Sequence, residues 1–290
     1  MPCAGTTLPG QWQAGGIDLP AMSASSTFHA GGGDGYEQLM GRWSRRLAGP
    51  FLDFVGTVDG ERVLDLGCGT GALASALLQR CRVAHVRGVD LAPAYIDHAR
   101  RHQPDPRVAF ETGDACALTY PDHGFDRVLA LLLLHFVPSP ERAIAEMRRV
   151  ARPGAVVGAA VWDVRGGFVA NRLFYDTAAV LDPEADARRA RNYTRQMTRP
   201  GELESAWHAA GFSDVVATSL CIRMEFGSFD DYWAPYIGQD GPGAEYVATL
   251  ADADRNRLRE AVRRAYVDGG PDGPRSFAAT AWAVKGIAPA

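Results

Sequence analysis

Val63-Leu64-Asp65-Leu66-Gly67-Cys68-Gly69-Thr70-Gly71 runs from apolar residues straight into three alternating glycines. Glycine lets the backbone turn tightly and lets a ligand approach it, and a helix starting there offers unpaired N–H groups. Asp90 ends the next apolar run, 19 residues beyond Gly71, where a carboxylate can accept hydrogen bonds from two ribose hydroxyls. Each part has a plainer reading: a glycine turn can serve packing alone, and an aspartate after a strand can cap a helix. Their order along the chain favours a nucleotide site. A nicotinamide dinucleotide would fit these two features as well, since Gly67 to Ala72 also satisfies the looser GxGxxA form. Three positions separate the readings. Asp65, at the strand end before the loop, would repel a pyrophosphate but suit an ammonium group. Asp114, after Gly113, is placed to accept a hydrogen bond from an adenine amino group. Leu131–Phe136 forms an apolar floor, not a set of phosphate donors. Carboxylates around a ligand suggest a cation, and a sulfonium with an amino group is one.

These residues need a scaffold, and from Glu61 onward the pattern alternates between strand and helix. Arg62–Leu66 reads as a buried strand, Ala72–Cys81 as a helix, Val83–Asp90 as a second strand, and Pro93 as the first turn of the next helix. Val108–Thr112 and Arg127–Leu132 are further strands. Ser139-Pro140 opens a helix with a buried stripe of Ala143, Ile144, Met147 and Val150. Arg152-Pro153-Gly154 then turns the chain into a strand over Ala155–Trp162. This alternation requires a parallel sheet covered by helices. Before it, Tyr36, Leu39, Met40, Trp43 and Leu47 share one helical face, and Gly49-Pro50 is expected to break that helix. After it come an Arg-rich helical insertion (166–200), a helix over 202–211, a strand over 215–226, a second insertion (227–273) and a last strand near Phe277–Val284. The domain is expected over 35–290. Residues 1–34, rich in small and polar types, are expected to be a disordered tail, and Met22 could begin a shorter product.

A hydrophobic fraction of 47% with 22% charged residues describes an ordinary globular protein, and no apolar run reaches the roughly 18 residues of a membrane span. No basic residue precedes Arg42, so a secretory or transit leader is not expected and the address is cytoplasmic. Five cysteines without CxxC or zinc spacing indicate neither a disulfide framework nor a metal site. The net charge of −4 argues against a nucleic-acid partner, as does the lack of an Asn/Asp-Pro-Pro-aromatic motif at the fourth-strand exit. His135 stands at that exit. It is the best-placed general base if the reaction needs one, its plainer reading being a loop histidine bonded to backbone.

The segments VLDLGCGTG, VRGVDLAP, ETGDACAL, FDRVLALLLLHFVPSP and RRVARPG resemble the successive motifs of class I S-adenosylmethionine-dependent methyltransferases. Within that superfamily they resemble the small-molecule branch that includes the quinone-biosynthesis enzymes. The resemblance is continuous from about Tyr36 to Trp162. It implies an α/β fold with a Rossmann-like, seven-stranded, mostly parallel sheet of order 3-2-1-4-5-7-6, the last strand antiparallel. It implies S-adenosylmethionine as cofactor and a small-molecule methyl acceptor, with Asp90 and Asp114 in the roles given above. Backbone of Gly67, Gly69, Leu91, Ala115 and Leu131 would lie near the ligand, with Asp65 and Cys68 also in the cofactor set. Leu131 stands where relatives often carry a polar residue, so its contact would be through backbone. The Tyr36–Ser44 segment resembles the helix that covers the cofactor in this branch. The two insertions then fall at the carboxyl edge of the sheet. Their aromatics (Phe168, Phe174 and Tyr175; Phe229, Tyr232, Trp233 and Tyr236) are expected to form a cap over the acceptor. Two other functions stand beside methyl transfer: a non-catalytic cofactor-binding module and a nicotinamide-dependent oxidoreductase.

Overall fold

The computed structural model describes residues 32–290. The expectations for residues 1–31 lie outside the described residues. Gly33 and Asp34, within the segment expected to be tail, lie in α1 (Gly33–Tyr36), which runs without a break through a π-helical turn (Glu37–Gly41) into α2 (Arg42–Val55). The break expected at Gly49-Pro50 does not occur, because α2 buries Phe51, Leu52 and Val55 beyond it. Each buried side chain of this size contributes about 1.5–3 kcal/mol, so three outweigh the roughly 3 kcal/mol cost of an interior proline.

The alternating elements follow: β1 (Arg62–Leu66), α3 (Ala72–Arg80), β2 (His85–Asp90), α4 (Pro93–His102), β3 (Val108–Thr112), β4 (Phe125–Leu131), α5 (Pro140–Val150) and β5 (Ala151–Trp162). Arg152-Pro153-Gly154 is not a turn before β5 but a bulge inside it. Phe125 pairs with Ala151 and Arg127 with Val156, and Gly154 takes a φ of 79° in the excess loop. Ser139 stands at the N-cap of α5, although its side chain makes no capping bond. The first insertion supplies α6 (Val169–Leu181) and α7 (Pro183–Tyr193). After α8 (Glu202–Ala209) and β6 (Ser213–Phe226), the second supplies α9 (Phe229–Trp233), α10 (Gly241–Thr249) and α11 (Asp252–Val267) before β7 (Arg275–Ile287).

The strands form one sheet of order β3-β2-β1-β4-β5-β7-β6, with β7 antiparallel to both neighbours. A β7 inserted between β5 and β6 departs from the 3-2-1-4-5-6 order of dinucleotide-binding sheets. Helices α2, α3 and α4 cover one face through Leu47, Leu73 and Ile96. Helices α5 and α8 cover the other through Ile144, Met147 and Trp207, whose indole N–H donates to the Val157 carbonyl at 3.0 Å. The carboxyl ends of β1, β2, β4 and β5 therefore converge on one rim, and the chain that follows β5 and β6 supplies the cap helices.

Candidate functional site

The loop after β1 is held by its own backbone. The N–H groups of Gly67 and Cys68 both donate to the Val89 carbonyl, at 2.7 and 3.0 Å, which ties the loop to the end of β2. Gly67 has a φ of 70°, and a Cβ there would lie 2.7 Å from the Leu133 side chain, so only glycine fits. Asp90 completes the tie: its carboxylate accepts from Gly69 N–H at 2.9 Å and from Ala92 N–H at 2.9 Å. Burial raises the pKa of Asp90, and backbone bonds from Ala92, Gly69 and Leu91 oppose the rise. A carboxylate offers about four acceptor positions, so acceptor capacity remains for a ligand.

Around this loop lies a cavity of about 240 Å³, whose wall includes Gly67, Gly69, Asp90, Leu91, Asp114, Ala115 and Leu131. Asp114 is fixed by Cys116 N–H, which donates to its carboxylate at 2.8 Å. Asp65 and Cys68, expected among the cofactor contacts, are not in that wall. Asp65 is only 1% exposed and accepts from Ala74 N–H at 3.2 Å in the first turn of α3. Successive strand residues alternate in direction. Leu64 and Leu66 point to the α5 face, so Asp65 points to the α3 face, beneath the loop. Burial raises its pKa to about 7, against the lowering by Ala74 N–H. The Cys68 thiol is likewise buried behind the loop, its pKa pushed well up by burial.

Other wall residues carried no individual signal in the sequence. Tyr36 lies over Gly69 and packs against Tyr95, with ring centroids 4.6 Å apart. Met40, on the π-helical turn, and Trp162, at the end of β5, close one side. The cover is tied down by Thr70, whose hydroxyl donates to Glu37, and by Asp240. That aspartate accepts from Tyr95 hydroxyl at 2.9 Å and from Gly32 N–H at 3.2 Å. Asp240 thereby joins the N-terminal cover, α4 and the second insertion.

A second cavity, of about 100 Å³, adjoins the first, and Met40, Phe136 and Trp162 line both. Of the seven cap aromatics, Phe168, Tyr175, Tyr232 and Tyr236 line it. Phe174, Phe229 and Trp233 do not; they pack behind, with Phe174 stacked on Tyr236 at 3.9 Å. His135 faces this second cavity, not the first. Its side chain is buried, Nδ1 has no hydrogen-bond partner, and burial with the nearby Arg195 charge lowers its pKa to about 3. The ring is neutral at physiological pH and a poor proton acceptor there. Between about pH 3 and 6.5 the unfolded chain binds a proton at this histidine that the folded chain refuses, so stability falls as pH drops through that window. The slope is about 1.4 kcal/mol per pH unit. Urea midpoints of wild type and His135→Gln at pH 6.5, 5.5 and 4.5 test this. The variant is expected to lose less stability on acidification, and parallel pH curves would contradict it.

The cavity wall carries two carboxylates and no lysine or arginine. That set suits a cationic nucleoside better than a pyrophosphate. Residues 64–158 match the family model described as a methyltransferase domain. The chain is 44% identical over 101 residues to malonyl-[acyl-carrier protein] O-methyltransferase of Halorhodospira halophila, covering 33% of this chain and 34% of that protein. A sterol 24-C-methyltransferase of Gibberella zeae is 28% identical over 248 residues, 81% of this chain and 59% of that protein. A demethylmenaquinone methyltransferase of Renibacterium salmoninarum is 38% identical over 113 residues, covering 39% of this chain and 44% of that protein. The chain thus spans between 34% and 59% of the length of these relatives. Among solved structures, phosphoethanolamine N-methyltransferase 2 of Haemonchus contortus has the same fold at a TM-score of 0.56 and 16% identity, covering 89% of this chain and 57% of that one. The [4+2]-cyclase SpnF shares it at a TM-score of 0.52 and 20% identity, covering 85% and 82%. The first cavity has the chemistry to hold a cationic nucleoside. Asp90 and Asp114 both line it with carboxylates, and apolar Leu66, Val89 and Leu131 line it as well. No described helix of the chain is long and apolar enough to cross a membrane.

Proposed function

We propose that the protein transfers a methyl group from S-adenosylmethionine to a small molecule held in the second cavity. The observation that carries this reading is the contact between the two cavities across Met40, Phe136 and Trp162. When bound, S-adenosylmethionine supplies an electrophilic methyl on a sulfonium whose departure leaves a neutral thioether. Methyl transfer is an in-line displacement, so the protein's part is to align the acceptor atom and to keep water out. In this reading Asp90 accepts from the ribose hydroxyls and Asp114 from the adenine amino group. Backbone at Gly67, Gly69, Leu91, Ala115 and Leu131 lies against the cofactor. Asp65 acts at one remove, by fixing the start of α3 under the glycine loop.

Met40, Phe136 and Trp162 form the apolar collar through which the methyl passes. Burial and the nearby Arg195 charge, which lower the His135 pKa to about 3, make its imidazole a weak proton acceptor and speak against the general-base role expected for it. We assign it to the shape of the acceptor cavity, where its ring packs 4.1 Å from Phe136. A cavity of about 100 Å³ under cap helices supports a small acceptor over a polymer or nucleic acid. The cytoplasmic address stays part of this proposal, supported by the odd, unpatterned set of five cysteines.

Formation of S-adenosylhomocysteine, followed by mass spectrometry across a panel of small carboxylates, phenols and amines, tests the reading. Product that appears only when an acceptor is present is the expected result. A second reading is a non-catalytic module that binds S-adenosylmethionine, supported by the carboxylates of Asp90 and Asp114 in the first cavity, which need no acceptor. Cofactor binding with no chemical change in any acceptor would decide for it.

A further inference from the structure

The second cavity is aromatic over most of its wall and polar at one place. Arg195, Asn192 and Asn171 all line it and form a chain: Arg195 Nε donates to Asn192 Oδ1 at 3.0 Å, and Asn192 Nδ2 donates to Asn171 Oδ1 at 3.2 Å. The Arg195 guanidinium stands 4.8 Å from the ring centroid of Phe136, which borders the cofactor cavity. His135, with its unpartnered Nδ1, lines the same cavity. We propose, resting on the reading above, that the acceptor is an apolar molecule bearing a carboxylate, and that Arg195 anchors this carboxylate beside the reacting centre.

Three observations carry this. An arginine stays charged at any physiological pH, and its planar fork matches a carboxylate. Arg195 is half-buried at the one polar place of an otherwise aromatic cavity, where Asn192 takes its Nε–H and the Glu245 charge favours its charged form against burial. The Arg195 field reaches the cavity interior, adding to the lowering of the His135 pKa by burial and opposing the rise that burial gives Tyr175. Access points the same way. On the outer side of Arg195 lies a cleft of about 390 Å³ that also contains Arg188, Arg191 and Glu245. Arg188 and Arg191 share Glu184 as an ion-pair partner at 3.1 and 3.6 Å, so the cleft is not a simple cationic patch. His135, Tyr175, Asn192 and Arg195 line both the cleft and the inner cavity, so an entering molecule passes the guanidinium. A carboxylate held by charge-assisted hydrogen bonds has its lone pairs engaged, which suits an anchor better than the nucleophile. The cavity volume of about 100 Å³ leaves room for a single ring or a short chain beyond that anchor.

Calorimetry on the full chain in the presence of S-adenosylhomocysteine tests the proposal, with benzoate and hexanoate as probes and benzamide and hexanamide as neutral controls. The acids are expected to bind and the amides to bind at least tenfold more weakly. Arg195→Gln should weaken the acids on the order of 10- to 100-fold, with S-adenosylhomocysteine affinity and the melting temperature kept. Arg195→Lys should fall between the two. In turnover with any carboxylate acceptor found, the loss should appear in KM far more than in kcat, as expected of an anchor and not of a reacting group. Equal binding of acids and amides, unchanged acid affinity in Arg195→Gln, or no binding of any probe at millimolar concentration would overturn the assignment. Because these readouts need no methyl transfer, they are separable from the function itself. Turnover of neutral acceptors alone would leave methyl transfer standing and remove the anchor. Acid binding without turnover would do the reverse.

Discussion

Asp90→Ala is expected to weaken S-adenosylmethionine binding by on the order of 1.5–3 kcal/mol, roughly 10- to 150-fold, from lost hydrogen bonds to a charged acceptor. The structure argues that the true effect lies toward the upper end, because Asp90 has two tasks. Its carboxylate would accept from the ligand, and it also holds Gly69 N–H and Ala92 N–H at 2.9 Å each. Alanine would remove the ligand contact and leave the glycine loop tied to β2 only through the Val89 carbonyl. Asp90→Asn separates the two tasks. Its amide oxygen can keep one backbone bond, but its NH2 group cannot accept from a ribose hydroxyl or from the second backbone N–H. Calorimetric affinities are expected in the order wild type, Asn, Ala. A folded Asp90→Ala protein with wild-type affinity would remove the cofactor from this cavity, whatever the fold suggests.

Most of the sheet was legible because its signals are local. Val63, Leu64 and Leu66 form a buried run that ends on glycines at positive φ, and β2 and β3 end on similar changes of residue type, at Asp90 and before Gly113. The errors arose where tertiary packing overrode a local signal. Pro50 reads as a helix breaker, yet the core beneath α2 continues past it. Arg152-Pro153-Gly154 reads as a turn, yet a bulge absorbs it within β5. Asp65 was misread for a reason the sequence did contain. Alternation along β1 sets it on the face opposite Leu64 and Leu66, toward α3, while its position before the glycines suggested the ligand. Tyr95 and Asp240 could not be paired in advance, because 145 residues separate them and neither sits in a motif. The π-helical turn that carries Met40 leaves no trace in residue type either.

The cap aromatics show this limit most clearly, since Tyr232 and Trp233 are neighbours in sequence with different work to do. Trp233 is 3% exposed and packs against Phe229, Phe174 and Tyr236, with ring centroids 5.9, 6.2 and 5.8 Å away. It lines neither cavity. Trp233→Ala is therefore expected to cost about 3–5 kcal/mol of stability through the cavity it leaves. In a chain of this size that lowers the melting temperature by about 10 °C. Cofactor affinity well below the melting point should stay close to wild type, because no atom of Trp233 borders that site. Tyr232 faces the acceptor cavity and donates its hydroxyl to the Ala170 carbonyl at 2.7 Å, which links α9 to α6. Tyr232→Phe keeps the ring and removes that link together with the hydroxyl's bond to Tyr236, at a cost of about 0.5–1.5 kcal/mol per bond. Its effect should appear in acceptor KM more than in thermal stability. Thermal melts and acceptor titrations of the two variants check both expectations. An unchanged melting temperature in Trp233→Ala would mean that the cap is not packed through this tryptophan. A large stability loss in Tyr232→Phe would mean that the cap is held by its polar link and not by its aromatic core.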